Sequence, residues 1–270
     1  MTEQLPIFEI IPAVKESLRK NNTLILQAPP GAGKSTVLPL QLLDEPWLTG
    51  KKILLLEPRR LAARSVASRM SDLLKESAGA TVGYRVRFEN KISKQTRIEV
   101  VTEGILTRML QNDNMLEGVG LVLFDEFHER SLHADLALAL CREVQQVLRE
   151  DLKIMIMSAT LDGEKLSSLL NNAPILTSKG RQHPIDLRYI PQESTIHLPA
   201  QVAKVIRKAL GQDEGDILTF LPGAGEITRT LEILERENLN VVTNCQKKIF
   251  KWQKFYLNDK KFKCHKKAFK

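Results

Sequence analysis

The chain has 270 residues, 43% of them hydrophobic and 27% charged, with three cysteines and a net charge of +8. That balance excludes a disordered or fibrous polymer. No apolar run is long enough to span a membrane, the opening residues MTEQLPIFEI do not read as a signal peptide, and Cys141, Cys245 and Cys264 form neither a metal-ligand spacing nor an even disulfide framework, so a reducing cytoplasm is the expected compartment.

The charge does not by itself indicate nucleic acid. Residues 245–270 hold ten lysines and one aspartate, and the rest of the chain is nearly neutral. Any such partner has to be argued from motifs.

Taken in order, a helix is predicted over residues 13–20 and a strand over Thr23–Gln27. Ala28, Pro29, Pro30, Gly31, Ala32, Gly33, Lys34, Ser35 and Thr36 then lead into a helix. A strand, a glycine-rich loop and a helix make up the context of a phosphate-binding P-loop. The first glycine of the strict pattern is replaced by Ala28. Gly31 and Gly33 allow backbone N–H groups to turn toward a phosphate. Lys34 would reach the β- and γ-phosphates, and the Ser35 hydroxyl would face Mg²⁺. A helix N-terminus behind the loop adds to the attraction for an anion. Pro39 falls inside that helix and is expected to remove a hydrogen bond there.

Further strands are predicted over Lys52–Glu57 and residues 97–101, 120–125 and 153–158, and helices over residues 60–77, 103–111 and 133–149. The strand cores, ILLL and LVLF among them, are continuously apolar, as suits a parallel sheet covered on both faces. Strand–helix alternation implies an α/β domain with right-handed crossovers.

Asp125-Glu126-Phe127-His128-Glu129-Arg130 ends the strand GLVLF. Carboxyl ends of parallel strands border the ligand crevice in such folds. There an aspartate can hold Mg²⁺ through water, and a glutamate can orient and deprotonate an attacking water. Ser158-Ala159-Thr160 closes the next strand, where hydroxyls can bond His128.

A second α/β unit begins near residue 196, with helices over residues 198–210 and 224–237 and strands over residues 216–221 and 240–243. From Cys245 the composition changes abruptly to lysine, phenylalanine and a scatter of others. Three readings stay open: a solvated basic tail, a basic aromatic arm for RNA, or out-of-frame translation of A/T-rich DNA. The break follows a strand in an unfinished unit, which favours the third.

In order and spacing, GAGKST, PRRLAARSVASRM, TEGILTRML, DEFHER and SAT resemble motifs I, Ia, Ib, II and III of the DEAH-type helicases of superfamily 2. Phe127 stands where that family usually has alanine. The resemblance covers residues 5–243. It implies an NTP-driven translocase with two RecA-like domains clasping a single strand of RNA or DNA, using ATP and Mg²⁺. It implies a P-loop NTPase domain over residues 1–180, a linker over 181–195 and a partial second RecA-like domain over 196–244.

By the same resemblance Lys34, Asp125, Glu126 and His128 would be catalytic. Residues 28–36 and Arg69 would hold the nucleotide, Ser35, Asp125 and Glu126 the Mg²⁺. Ser158 and Thr160 would couple nucleotide state to domain movement. Arg59, Arg60, Arg85, Arg87, Thr102, Glu103 and Gly104 would follow the nucleic-acid backbone.

After Thr243 nothing matches. Motif V has no counterpart, and neither does motif VI, which in this family supplies arginine fingers worth about 10³–10⁵ in rate. The expectation is therefore a helicase-family chain defective in unwinding. The alternative is an inactive nucleotide-binding module.

Overall fold

The computed structural model describes residues 5–159, 163–180, 185–190 and 197–236, and the backbone of 242–245 and 253–258. It divides into two units, Met1–His183 and Pro184–Lys270.

The first unit is built on eight strands: β1 (Thr23–Gln27), β2 (Lys52–Glu57), β3 (Val82–Val86), β4 (Glu89–Lys91), β5 (Ile98–Thr102), β6 (Val119–Phe124), β7 (Lys153–Ser158) and β8 (Ile175–Thr177). They form one sheet in the order β4-β3-β5-β2-β6-β7-β1-β8. Every pairing is parallel except the β3–β4 hairpin. The sequence reading did not foresee β3, β4 and β8.

Helices α1 (Ile7–Lys20), α2 (Leu38–Leu42), α3 (Arg60–Leu74), α4 (Glu103–Asn112), α5 (Leu132–Glu143) and α6 (Gly163–Leu169) complete the unit. Two apolar clusters lie on the two sheet faces. Leu24, Leu26 and Leu55 pack with α1 and α3, whereas Ile25, Leu54 and Leu56 pack with α4 and α5. Alternate residues of each strand thus serve opposite cores, which is why the strands read as unbroken apolar runs. Each such side chain contributes about 1.5–3 kcal/mol on burial.

Several boundaries differ from the sequence reading for identifiable reasons. The first helix starts at Ile7 and runs through Pro12. Ile7, Ile11, Val14 and Leu18 form one buried stripe, and this packing outweighs the single backbone bond that Pro12 cannot donate. Pro39 lies in the first turn of α2, which has five residues. There an N–H has no partner to lose, so the expected penalty does not arise. Helix α3 stops at Leu74 because Lys75 turns left-handed at φ 59° and donates its N–H to the carbonyls of Ser71 and Asp72. The helix predicted through residue 149 ends as α at Glu143 and finishes in a π-turn, Val144–Leu148.

In the second unit, α7 (Leu198–Gln212) and α8 (Ala224–Arg236) pack through Ala203, Ile206 and Leu234. Strand β9 (Ile217–Leu221) is joined antiparallel by β11 (Gln253–Asn258), which also pairs β10 (Val242–Cys245). The stretch after Cys245, read as a tail, thus supplies a strand, and it covers a β9 edge that otherwise stays unpaired. Its Phe255-Tyr256-Leu257 run has strong β-propensity. Among the described residues no helix is long and apolar enough to cross a membrane.

Candidate active site

Strand β1 delivers the chain to residues 28–36 at the carboxyl edge of the sheet. Ala28 is buried and donates its N–H to the Ser158 carbonyl at 2.9 Å. It lies outside the set of residues with positive φ, so a side chain is accommodated where the strict motif has glycine. Gly31 and Gly33 do need their glycines, at φ 77° and 97°. A Cβ at Gly33 would press on Ile7 at 3.0 Å and Leu5 at 3.2 Å. Helix α1 is tied to the same loop by the Ile7 N–H donating to the Ala32 carbonyl at 3.1 Å. The regular helix begins only at Leu38, and the turn between is closed by the Val37 N–H on the Gly33 carbonyl at 2.9 Å.

Lys34 does not point into solvent. It is 3% exposed, and its Nζ lies 3.2 Å from Asp125 Oδ1 and 2.6 Å from Glu126 Oε1. Burial opposes its charge, but the two carboxylates together outweigh burial and hold its pKa above the ordinary lysine value. The loop after β1 and the carboxylates after β6 thus meet at one ammonium group.

Glu126 sits at φ 49° and Arg130 at φ 48°, on either side of a short 3-10 turn, Phe127–Glu129. Two left-handed non-glycine residues four positions apart mark stored strain. Phe127 is buried edge-on to Phe124 with 6.1 Å between ring centres, and the Arg130 guanidinium lies 5.7 Å from the Phe127 ring centre. Phenylalanine in place of alanine therefore anchors the turn to the core. His128 Nε2 is 3.4 Å from Glu126 Oε2. Its Nδ1 is buried without a hydrogen-bond partner among the described residues. Ser158 is fully buried at the end of β7. Thr160 lies outside the described residues.

The sequence reading missed Glu57. It is the last residue of β2 and is 2% exposed. Strand β2 pairs with β6 as Leu56↔Phe124, and the Asp125 N–H donates to the Leu56 carbonyl at 3.0 Å, so Glu57 and Asp125 leave adjacent strands side by side. Burial first, then the negative charge of Asp125, pushes the Glu57 carboxyl up to about 9. The only sequence signal was a carboxylate ending an otherwise apolar strand.

The residues present suit a hydrated Mg²⁺. Asp125 Oδ2 is buried with no hydrogen-bond partner among the described residues, and Ser35 is half-buried on the loop. Hard oxygen donors of this kind match Mg²⁺, which keeps several of its waters.

Other expected contacts scatter more widely. Arg59 Nη2 pairs with Glu129 Oε1 at 2.7 Å, joining the start of α3 to the carboxylate turn. Arg60 Nη2 donates to the Arg87 carbonyl at 2.7 Å. Arg87 is exposed at the β3–β4 tip with its guanidinium 4.7 Å from the Phe88 ring. Thr102 takes the N-cap position of α4 without a side-chain capping bond, followed by Glu103 and Gly104, and a Cβ at Gly104 would meet nothing within 4 Å. Arg85 is engaged elsewhere: its Nε lies 2.8 Å from Glu99, a buried carboxylate that Lys52 also pairs at 2.7 Å. Arg69 is exposed on α3.

A parallel sheet with a phosphate loop and paired carboxylates at adjacent strand ends defines a class. Residues 9–169 match the DEAD/DEAH box helicase family, and the chain belongs to that family. It is 54% identical over 230 residues to the ATP-dependent RNA helicase HrpB of Escherichia coli, covering 85% of this chain and 28% of that protein. An ATP-dependent RNA helicase HrpA homolog of Haemophilus influenzae is 36% identical over 239 residues, covering 88% of this chain and 18% of its own length. The crystal structure of the E. coli DEAH/RHA helicase HrpB superposes with a TM-score of 0.83 at 52% identity, over 89% of this chain and 31% of that one. The chain thus spans under a third of the length of these relatives.

Proposed function

We propose that the chain binds Mg–ATP at residues 28–36 and hydrolyses it, the cycle being coupled to a single strand of RNA. One observation carries this reading: the Lys34 ammonium is held jointly by Asp125 and Glu126. A lysine kept charged between two carboxylates is poised to exchange one of them for phosphate oxygens. Glu126, released from Lys34, is then the base that takes a proton from the attacking water. Asp125 and Ser35 would hold Mg²⁺, which when bound neutralises charge on the transferred phosphoryl group. His128 beside Glu126 fixes the orientation of that carboxylate. Arg59, Arg60 and Arg87 offer guanidinium donors for a phosphate backbone, with the open start of α4 at residues 102–104 as a further contact. Arg85 is engaged with the buried Glu99, which it shares with Lys52, and so has fewer free donors to offer that surface.

The relatives are named as RNA helicases, which favours RNA over DNA as the strand. The test is Glu126→Gln. The amide cannot accept the proton, so phosphate release in the presence of single-stranded RNA should vanish while the Kd for Mg–ATP stays within about twofold of the parent. Turnover equal to the parent's would remove Glu126 from the reaction.

A further inference from the structure

Residues 177–180, the last residue of β8 and the three that follow it, form a strap beside the phosphate loop. Thr177 pairs in register with Gln27, and its hydroxyl donates to Gln27 Oε1 at 3.1 Å. The Ser178 N–H donates to the Gln27 carbonyl at 2.8 Å. On the opposite flank the Ala28 N–H is held by Ser158. Backbone hydrogen bonds therefore hold residues 27 and 28 to both neighbouring strands, whereas Pro29 has no N–H to donate and its carbonyl accepts only within the loop, from the Ala32 N–H at 3.3 Å. At that point the strap turns inward, with the Gly180 N–H donating to the Ser178 carbonyl at 3.0 Å.

Gly180 then lies flush on the Pro29 ring. A Cβ there would overlap Pro29 Cγ outright and lie 3.0 Å from Cδ and 3.2 Å from Cβ. Gly180 is outside the set of residues with positive φ, so the glycine is required for space and not for backbone freedom. The pyrrolidine is rigid and part of the loop backbone, so it cannot give way as a flexible side chain does. Anything larger than hydrogen at position 180 must displace the loop or lift the strap.

We propose that Gly180 is a positioning residue for the phosphate loop: its bare backbone clamps Pro29 and holds residues 28–36 in their phosphate-binding shape. The inference rests on reading those residues as the nucleotide loop. Overpacking against a rigid neighbour shifts backbone, and a loop that binds phosphate through backbone N–H groups loses affinity when its donors move.

The test is a double-mutant cycle read as the Kd for a fluorescent mant-ADP with Mg²⁺. Gly180→Ala should weaken binding about tenfold in the parent and less than about twofold in a Pro29→Ala background, where the ring is gone. An equal loss in both backgrounds, or none in the parent, overturns the proposal. A parent that does not bind Mg–mant-ADP sinks the nucleotide reading itself, whereas a parent that binds beside an unaffected Gly180→Ala sinks this inference alone. Should Gly180→Ala not fold, amide exchange in the unsubstituted chain decides. Exchange at Ser178 and Gly180 is expected to slow when Mg–mant-ADP binds, and unchanged exchange overturns the proposal.

Discussion

Replacing Lys34 with alanine is expected to weaken Mg–ATP binding by about a hundredfold or more, since a charge-assisted contact to phosphate contributes about 1.5–3 kcal/mol and this ammonium faces more than one oxygen. The same change disturbs the free protein. Lys34 is the cation between Asp125 and Glu126, with Glu57 close behind them. Removing one member of a buried ion pair leaves charge uncompensated at about 3–5 kcal/mol. Calorimetric titration with Mg–ATP, alongside thermal unfolding of the free variant, separates the effects. If a folded Lys34→Ala chain bound Mg–ATP as the parent does, the phosphate loop would be misassigned.

What could be read from the sequence was local or carried by unbroken runs. The glycines at 31 and 33 announce positive φ, the apolar cores of β2 and β6 announce a sheet covered on both faces, and Asp125-Glu126 follows its strand directly. What escaped depends on neighbours distant in the chain. Glu57 is buried because β2 pairs with β6, and nothing within β2 says so. Gly180 is needed because Pro29, far from it in the chain, lies against it in the fold. Arg85 reads as a free cation until β3 and β5 pair and bring Glu99 to it. The first helix, expected only from residue 13, begins at Ile7 because Ile7 and Ile11 extend the buried stripe of Val14 and Leu18. Strand β8 has only three residues, too short for a periodic signal. The site's chemistry is thus legible where a motif states it, and illegible where packing between separate elements creates it.

Glu57→Gln is expected to stabilise the free protein, increasingly so as the pH rises. The Glu57 carboxyl titrates near 4.5 in the unfolded chain and is pushed up to about 9 in the fold. The sign follows from proton binding. Between these values the folded state holds a proton that the unfolded state has released, so raising the pH favours unfolding, by up to about 1.4 kcal/mol per pH unit for one group. The contribution of Glu57 is fully present below about pH 4.5 and is lost as the pH climbs through 9. Glutamine has nearly the same shape and cannot ionise, which removes this dependence. Thermal unfolding of parent and variant, without nucleotide or Mg²⁺, should nearly coincide at pH 5 and diverge steadily toward pH 9, the variant unfolding at the higher temperature. A separation that stays constant across that range would mean that Glu57 is not held protonated beside Asp125. A variant that is less stable at every pH would mean that the ionised carboxylate itself supports the site, through Lys34, and that the three acidic side chains share one lysine without a proton between them.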